Sequence, residues 1–142
     1  MAIWLIPVTT KDFDLNKAMW ELGKTEWNET PATEGMAVGD TAFLYEGKPV
    51  RAVTWKCTVT AVHRTTPVLD DTPYYKSKEG LENARVFGEA HEFSCYELTA
   101  VKAISKASLP LSRLQSLDRE FMNALRRPKV VTGPIETLLE KF

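Results

Sequence analysis

The 142-residue sequence is poor in the residues that most enzyme chemistry needs. It holds two histidines and two cysteines. His63 and His91 stand alone, and Cys57 and Cys95 each sit inside a strand-like run, so no zinc-ligand spacing exists and no metal or cofactor is expected. The seven glycines are scattered singly, which leaves no Gly-rich phosphate loop. Neither G-x-S-x-G nor H-E-x-x-H occurs. Asp70 and Asp71 are adjacent, and neighbours on an extended chain point apart, so they make a poor acid/base pair. His91 beside Glu92 has no evident third partner. No catalytic residue is nominated, and a binding module is expected rather than an enzyme. No apolar run approaches the roughly 18 residues of a membrane span, and the first residues lack the basic start of a secretory signal. The expectation is a cytoplasmic protein with reduced thiols and no membrane partner. Net charge of either sign is missing too: the total is −1, which argues against generic wrapping of a polyanion.

What is present is an ordinary globular composition, 44% hydrophobic and 26% charged, at a length that suits one domain spanning residues 1–142. Charge is uneven along it. Lys102 to Lys129 carries a net of +5, whereas Thr65 to Ala100 carries −4. A local basic patch on a near-neutral protein fits selective contact with a few phosphates.

The order of elements reads as mixed. "AIWLIPV" is a buried strand ended near Pro7. Asp14 caps a helix to about Leu22, with Leu15, Ala18, Met19 and Leu22 on one face, Trp20 off it and Gly23 as the stop. "TAFLYEG" is a strand, "EGKP" a hairpin loop, and Val50 to His63 a longer strand. In that strand Val53, Trp55, Cys57, Val59 and Ala61 alternate onto one face. Arg64 to His91 has no period, and loops of that length are usually functional. A strand follows in "EFSCYELTAVKAIS". A short helix is then expected with Ser108 as cap and Pro110 in its first turn, and a terminal helix with the stripe Ile135, Leu138, Leu139 and Phe142. This is an α+β pattern, with strands expected to curl into a small barrel. One residue fits no element. In "TEWNET", Trp27 stands among polar neighbours where no period demands an aromatic.

Taken together, "IWLIPV", the helix, the isolated Trp27, "GDTAFLYEG", "AVTWKCTVTAV", a polar loop, "FSCYELTAVKAI" and "RPKVVTGPIETLLEKF" resemble the EVE and YTH domains of the PUA-like superfamily over nearly the whole chain. The "GDTAFLY" segment and the tryptophan about twenty residues after the first strand carry most of the resemblance. It implies a curled, mostly antiparallel β-barrel flanked by helices, and a reader rather than an enzyme. Its ligand would be a modified base, flipped out of DNA or RNA into an aromatic cage, with a nuclease or motor domain as a candidate associate. Trp27 matches one cage wall. The loop before the last long strand offers Tyr74, Tyr75 and Phe87 for the opposite wall, where YTH domains carry tryptophans, so a modified cytosine fits as well as a methylated adenine. Asn28 brings a donor and an acceptor for a base edge. Arg126, Arg127 and Lys129 are the expected phosphate contacts. Two other readings use the same barrel: a small-molecule or modified-nucleoside binding module, and an interaction domain without a ligand.

Overall fold

A computed structural model describes residues 1–66, 68–82, 94–118 and 126–142. The expectations placed on Phe87, His91 and Glu92 lie outside the described residues.

The first strand, β1 (Ile3–Val8), reads as a continuous apolar run because both of its faces are covered. Trp4, Ile6 and Val8 enter one core cluster and Leu5 enters another. Helix α1 (Leu15–Leu22) begins where Asp14 Oδ1 accepts from the Lys17 amide at 3.2 Å. It ends at Gly23, whose φ of +70° is a left-handed conformation that costs glycine little. Leu15, Ala18 and Met19 are buried, while Trp20 is 72% exposed and touches Trp55 edge-on.

The next residues form a strand that the sequence pattern did not announce, β2 (Lys24–Asn28), which contains Trp27. Then come β3 (Thr41–Glu46), β4 (Ala52–Arg64), β5 (Cys95–Ala103), helix α2 (Leu111–Leu117), the two-residue β6 (Lys129–Val130) and helix α3 (Pro134–Leu139). The residue capping α2 is Pro110 rather than Ser108, because Pro110 keeps an extended ψ of 157° before the first helical residue. On α3, Ile135, Leu138 and Leu139 are buried as the stripe requires.

The strands form one six-stranded sheet in the order β2-β5-β4-β3-β1-β6. Two features differ from the expected barrel. The sheet is mixed, since β1 and β3 run parallel. The chain between them carries α1 and β2, and such a crossover returns a strand in the same direction. Among the described residues the sheet is also open, with β2 and β6 as its edges.

Each face has its own core. One holds Trp4, Ile6, Ala42, Leu44, Trp55, Cys57, Val59, Tyr96 and Leu98 under α1. The other holds Leu5, Phe43, Tyr45, Val53 and Leu109 under α2 and α3. Val53 and Trp55 were expected on one face and lie in different cores. Across β3, Leu44 faces Trp55 and Tyr45 faces Val53, so Thr54 is one residue too many. That β-bulge changes the face onto which the strand's side chains alternate.

"GD" in the resembling segment has a structural task. Gly39 has φ of +96°, and its N–H donates to the Val59 carbonyl at 2.9 Å. Asp40 is buried and accepts from the Trp4 indole at 3.0 Å, the Ala37 amide at 3.0 Å and the Ala2 amide at 3.2 Å. Burial raises its pKa, but these three donors and the nearby N-terminus outweigh that and hold the carboxyl below its usual value. The motif therefore ties the start of β1 to the turn entering β3.

Candidate nucleic-acid interface

Trp27 is set by the ladder between β2 and β5. It lies opposite Tyr96, and the two rings meet edge-to-face with centroids 6.4 Å apart. Cross-strand aromatic pairs of this kind stabilise a sheet locally. Tyr96 is buried in the core. Trp27 is only half-buried against the same cluster. It also lines a pocket of about 310 Å³.

That pocket is lined by Ile6 and Pro7 of β1, by Glu26, Trp27 and Asn28 of β2, by Tyr96 of β5, and by Tyr75 and Pro128. Its position reveals the curvature of the sheet. β2 lies four strands from β1 in the order, which in a flat sheet would separate them by about 19 Å. Both nevertheless wall one small cavity, so the sheet curls until its β2 edge approaches β1. The pocket occupies the seam that a closed barrel would have filled with hydrogen bonds.

Tyr75 reaches the seam from the connection after β4. It forms an isolated bridge with Phe13, and their rings are T-shaped at 5.1 Å. The Asp14 amide donates to the Tyr74 carbonyl at 2.7 Å, and the Lys76 amide to the Asp12 carbonyl at 2.8 Å. The tyrosine is thus fastened to the start of α1. Burial, and then the Asp71 charge, push its pKa up to about 12, so the phenol is a neutral hydrogen-bonding group at ordinary pH. Its neighbour Tyr74 does not line the pocket. On the short turn Thr72–Tyr74 its ring joins the core, and the nearby Glu21 carboxylate raises its pKa.

The first residues after β4 are held by Glu26. Its carboxylate accepts from Arg64 Nη1 at 2.7 Å and from the Val68 amide at 3.2 Å. The same guanidinium nitrogen reaches Glu97 at 2.9 Å. Both carboxylates are buried. Cys95 lies on this side of β5, the face away from Tyr96 and Leu98. Burial, with the Glu26 charge, pushes its thiol up to about 11; burial alone puts Cys57 at about 12. Both cysteines are free and neither is a reactive thiolate at ordinary pH.

Of the residues nominated from sequence, Trp27, Asn28 and Tyr75 come together in the pocket, and Tyr74 stands apart. Arg126, Arg127 and Lys129 are exposed, on either side in sequence of Pro128, which lines the pocket. Tyr96, Glu26, Ile6, Pro7 and Pro128 were not nominated. For Tyr96 alone a sequence signal existed, since a tyrosine in the last long strand had to face something; its register with Trp27 was not visible. Among the described residues there is no cluster of metal-ligating side chains and no helix long and apolar enough to cross a membrane.

Solved structures show what this arrangement resembles. An ASCH protein from Zymomonas mobilis aligns with a TM-score of 0.66 at 14% identity, covering 99% of this chain and 94% of its own. Human THYN1, solved in complex with DNA containing 5-methylcytosine, aligns with a TM-score of 0.65 at 12% identity, covering 99% and 97%. A Pseudomonas putida protein aligns with a TM-score of 0.65 at 18% identity, covering 99% and 98%. The chain shares the fold of these proteins. At these identities the likeness is one of backbone, and the chain shares with these neighbours an architecture and not a demonstrated set of side chains. No protein-family model and no curated protein sequence matches the chain.

Proposed function

We propose that this chain is a PUA-like nucleic-acid reader of the EVE type that takes a modified, flipped base into the seam pocket, with Trp27 and Tyr75 as aromatic walls. The observation that carries the reading is the pocket itself. At about 310 Å³ it is at the small end of ligand cavities, the size for one planar group, and three of its lining residues, Trp27, Tyr75 and Tyr96, are aromatic. That a neighbour in fold, human THYN1, is solved with DNA containing 5-methylcytosine supports the choice of ligand class. Stacking contributes roughly 1–3 kcal/mol per base, against a few kcal/mol for extruding one from a duplex. Two walls and a few hydrogen bonds therefore suffice, and the flanking Arg126, Arg127 and Lys129 add phosphate attraction. Binding alone is proposed, with no catalytic step, and no nuclease or motor associate.

The test is a binding panel of short duplexes and single strands, each with one 5-methylcytosine, N6-methyladenine or unmodified base. Preference for a modified member, weakening steeply with salt, is the expected outcome. Equal affinity across the panel would overturn the reading. Binding of the free modified nucleoside, indifferent to salt, would establish the small-molecule alternative instead.

A further inference from the structure

The basic stretch from Lys102 to Lys129 is only partly used beside the pocket, where Arg126, Arg127 and Lys129 lie at its end. Two of its earlier cations meet elsewhere, on the sheet face that carries α2 and α3. Phe43 of that core lies opposite Lys56 on β4, and Lys56 lies opposite Lys102 on β5. Directly opposed residues of an antiparallel pair project from the same face, and like charges so placed weaken a sheet. Arg113 of α2 joins the two lysines. Its guanidinium carbon and the Lys102 Nζ each lie 5.9 Å from the centroid of the Phe142 ring. Arg113 Nη1 also donates to the Ser108 carbonyl at 2.8 Å. Lys102 and Arg113 are exposed, and Lys56 is half-buried. Among the described residues none of the three is ion-paired; the ion pairs there belong to Lys24, His63 and Arg64.

A carboxylate partner would hold these cations and cancel their charge. The Phe142 ring holds two of them within cation–π range and leaves the charge intact. With a net charge of −1, no general excess of cations forces the lysines together. From this geometry we infer that Lys56, Lys102 and Arg113 form a second phosphate-binding surface, for the backbone flanking the base held in the seam pocket. The inference rests on the proposed base-binding role of the pocket. The distance suits it. Tyr96 lines the pocket, and Lys102 lies six residues further along β5, about 20 Å at the rise of a strand. One strand of B-form DNA carries a phosphate every ~3.4 Å, so the surface meets phosphates about six nucleotides from the base.

The experiment measures Lys102→Glu and Lys102→Gln against wild type on two hairpin-capped duplexes that carry the modified base wild type prefers. One has arms of about 4 base pairs and the other arms of about 12, so that only the second reaches the surface. Glutamate at this position faces Lys56 as an opposite charge, so Lys102→Glu should melt at or above the wild-type Tm. On the longer duplex it should bind about tenfold more weakly, and Lys102→Gln should reduce the salt slope by about 1. On the shorter duplex both variants should bind as wild type does. Full affinity of Lys102→Glu for the longer duplex overturns the inference and leaves an acidic protein segment as the occupant. An equal loss on both duplexes overturns it too, because such a loss is a general charge effect. If Lys102→Glu does not fold, Lys102→Gln decides by the same comparison. A wild-type protein without preference for any modified base would defeat the proposed function itself. The salt slope of Lys102→Gln on an unmodified long duplex would still decide this surface, and a slope equal to that of wild type would overturn it.

Discussion

Trp27 joins two demands on one side chain. Its edge contact with Tyr96 and its half-buried position make it part of the sheet, while it also lines the pocket. Trp27→Ala should weaken binding of a modified-base duplex by roughly 1–3 kcal/mol, one lost stack. Its cost in stability should fall below the roughly 3–5 kcal/mol of a fully buried tryptophan. Titration of the duplex and chemical denaturation of the same variant measure both; a loss of stability without a loss of binding would remove Trp27 from the site. Asp40 behaves differently, because it lies outside the pocket and all its partners are internal. Asp40→Ala leaves the buried Trp4 indole and two part-buried amides without their acceptor, and should cost about 2–3 kcal/mol of stability. Base preference should survive at temperatures where the variant is folded. A melt and a binding curve on that protein check both halves.

At the scale of the element, the β2 edge depends on charge. Glu97 of β5 is buried, which raises its pKa, but the Thr60 hydroxyl, Arg64 and Lys24 outweigh burial and hold it below the ordinary 4.5. A carboxyl with a depressed folded value contributes stability in full above its unfolded value. That contribution is lost as pH falls from there through the lower folded value. The expected outcome is that Glu97→Gln melts below wild type at neutral pH and that the gap narrows below about pH 4.5. A gap that stays constant with pH would mean the Glu97 charge does not support the edge. The helices were legible in sequence because their signals are local: Asp14, Gly23 and the i, i+3, i+4 spacing of Leu15, Ala18 and Met19 describe α1 without reference to the rest of the chain. β2 was not legible. Its five residues alternate Thr25 and Trp27 against Glu26 and Asn28, and buried glutamate conceals the period, since Glu26 is inside only because Arg64 comes from another strand to meet it.

For the molecule as a whole, the pocket lies in a seam beside a basic segment on a chain with a net charge of −1. Arg126→Ala with Arg127→Ala should weaken every oligonucleotide by a similar factor and reduce the salt slope by about 1 per residue, leaving the ranking of modified bases intact. Affinities measured across a salt series check this. A change in ranking would place these arginines at the base rather than at phosphates.

By itself the sequence determined the α+β class, the cap and stop of α1, the apolar stripes of α1 and α3, the buried first strand, the existence of the long fourth strand, and the aromatic, asparagine and arginine candidates. Those follow from spacing within a few residues, where period and capping act. Only the tertiary structure decided the parallel pairing of β1 with β3, the bulge at Thr54 that sends Val53 and Trp55 to opposite cores, and the open seam. It also separated Tyr75 from Tyr74, one in the pocket and one in the core, though they are neighbours with the same side chain. The reason is physical: which way a strand's side chains and amides point is set by its partner and register, and those partners lie tens of residues away.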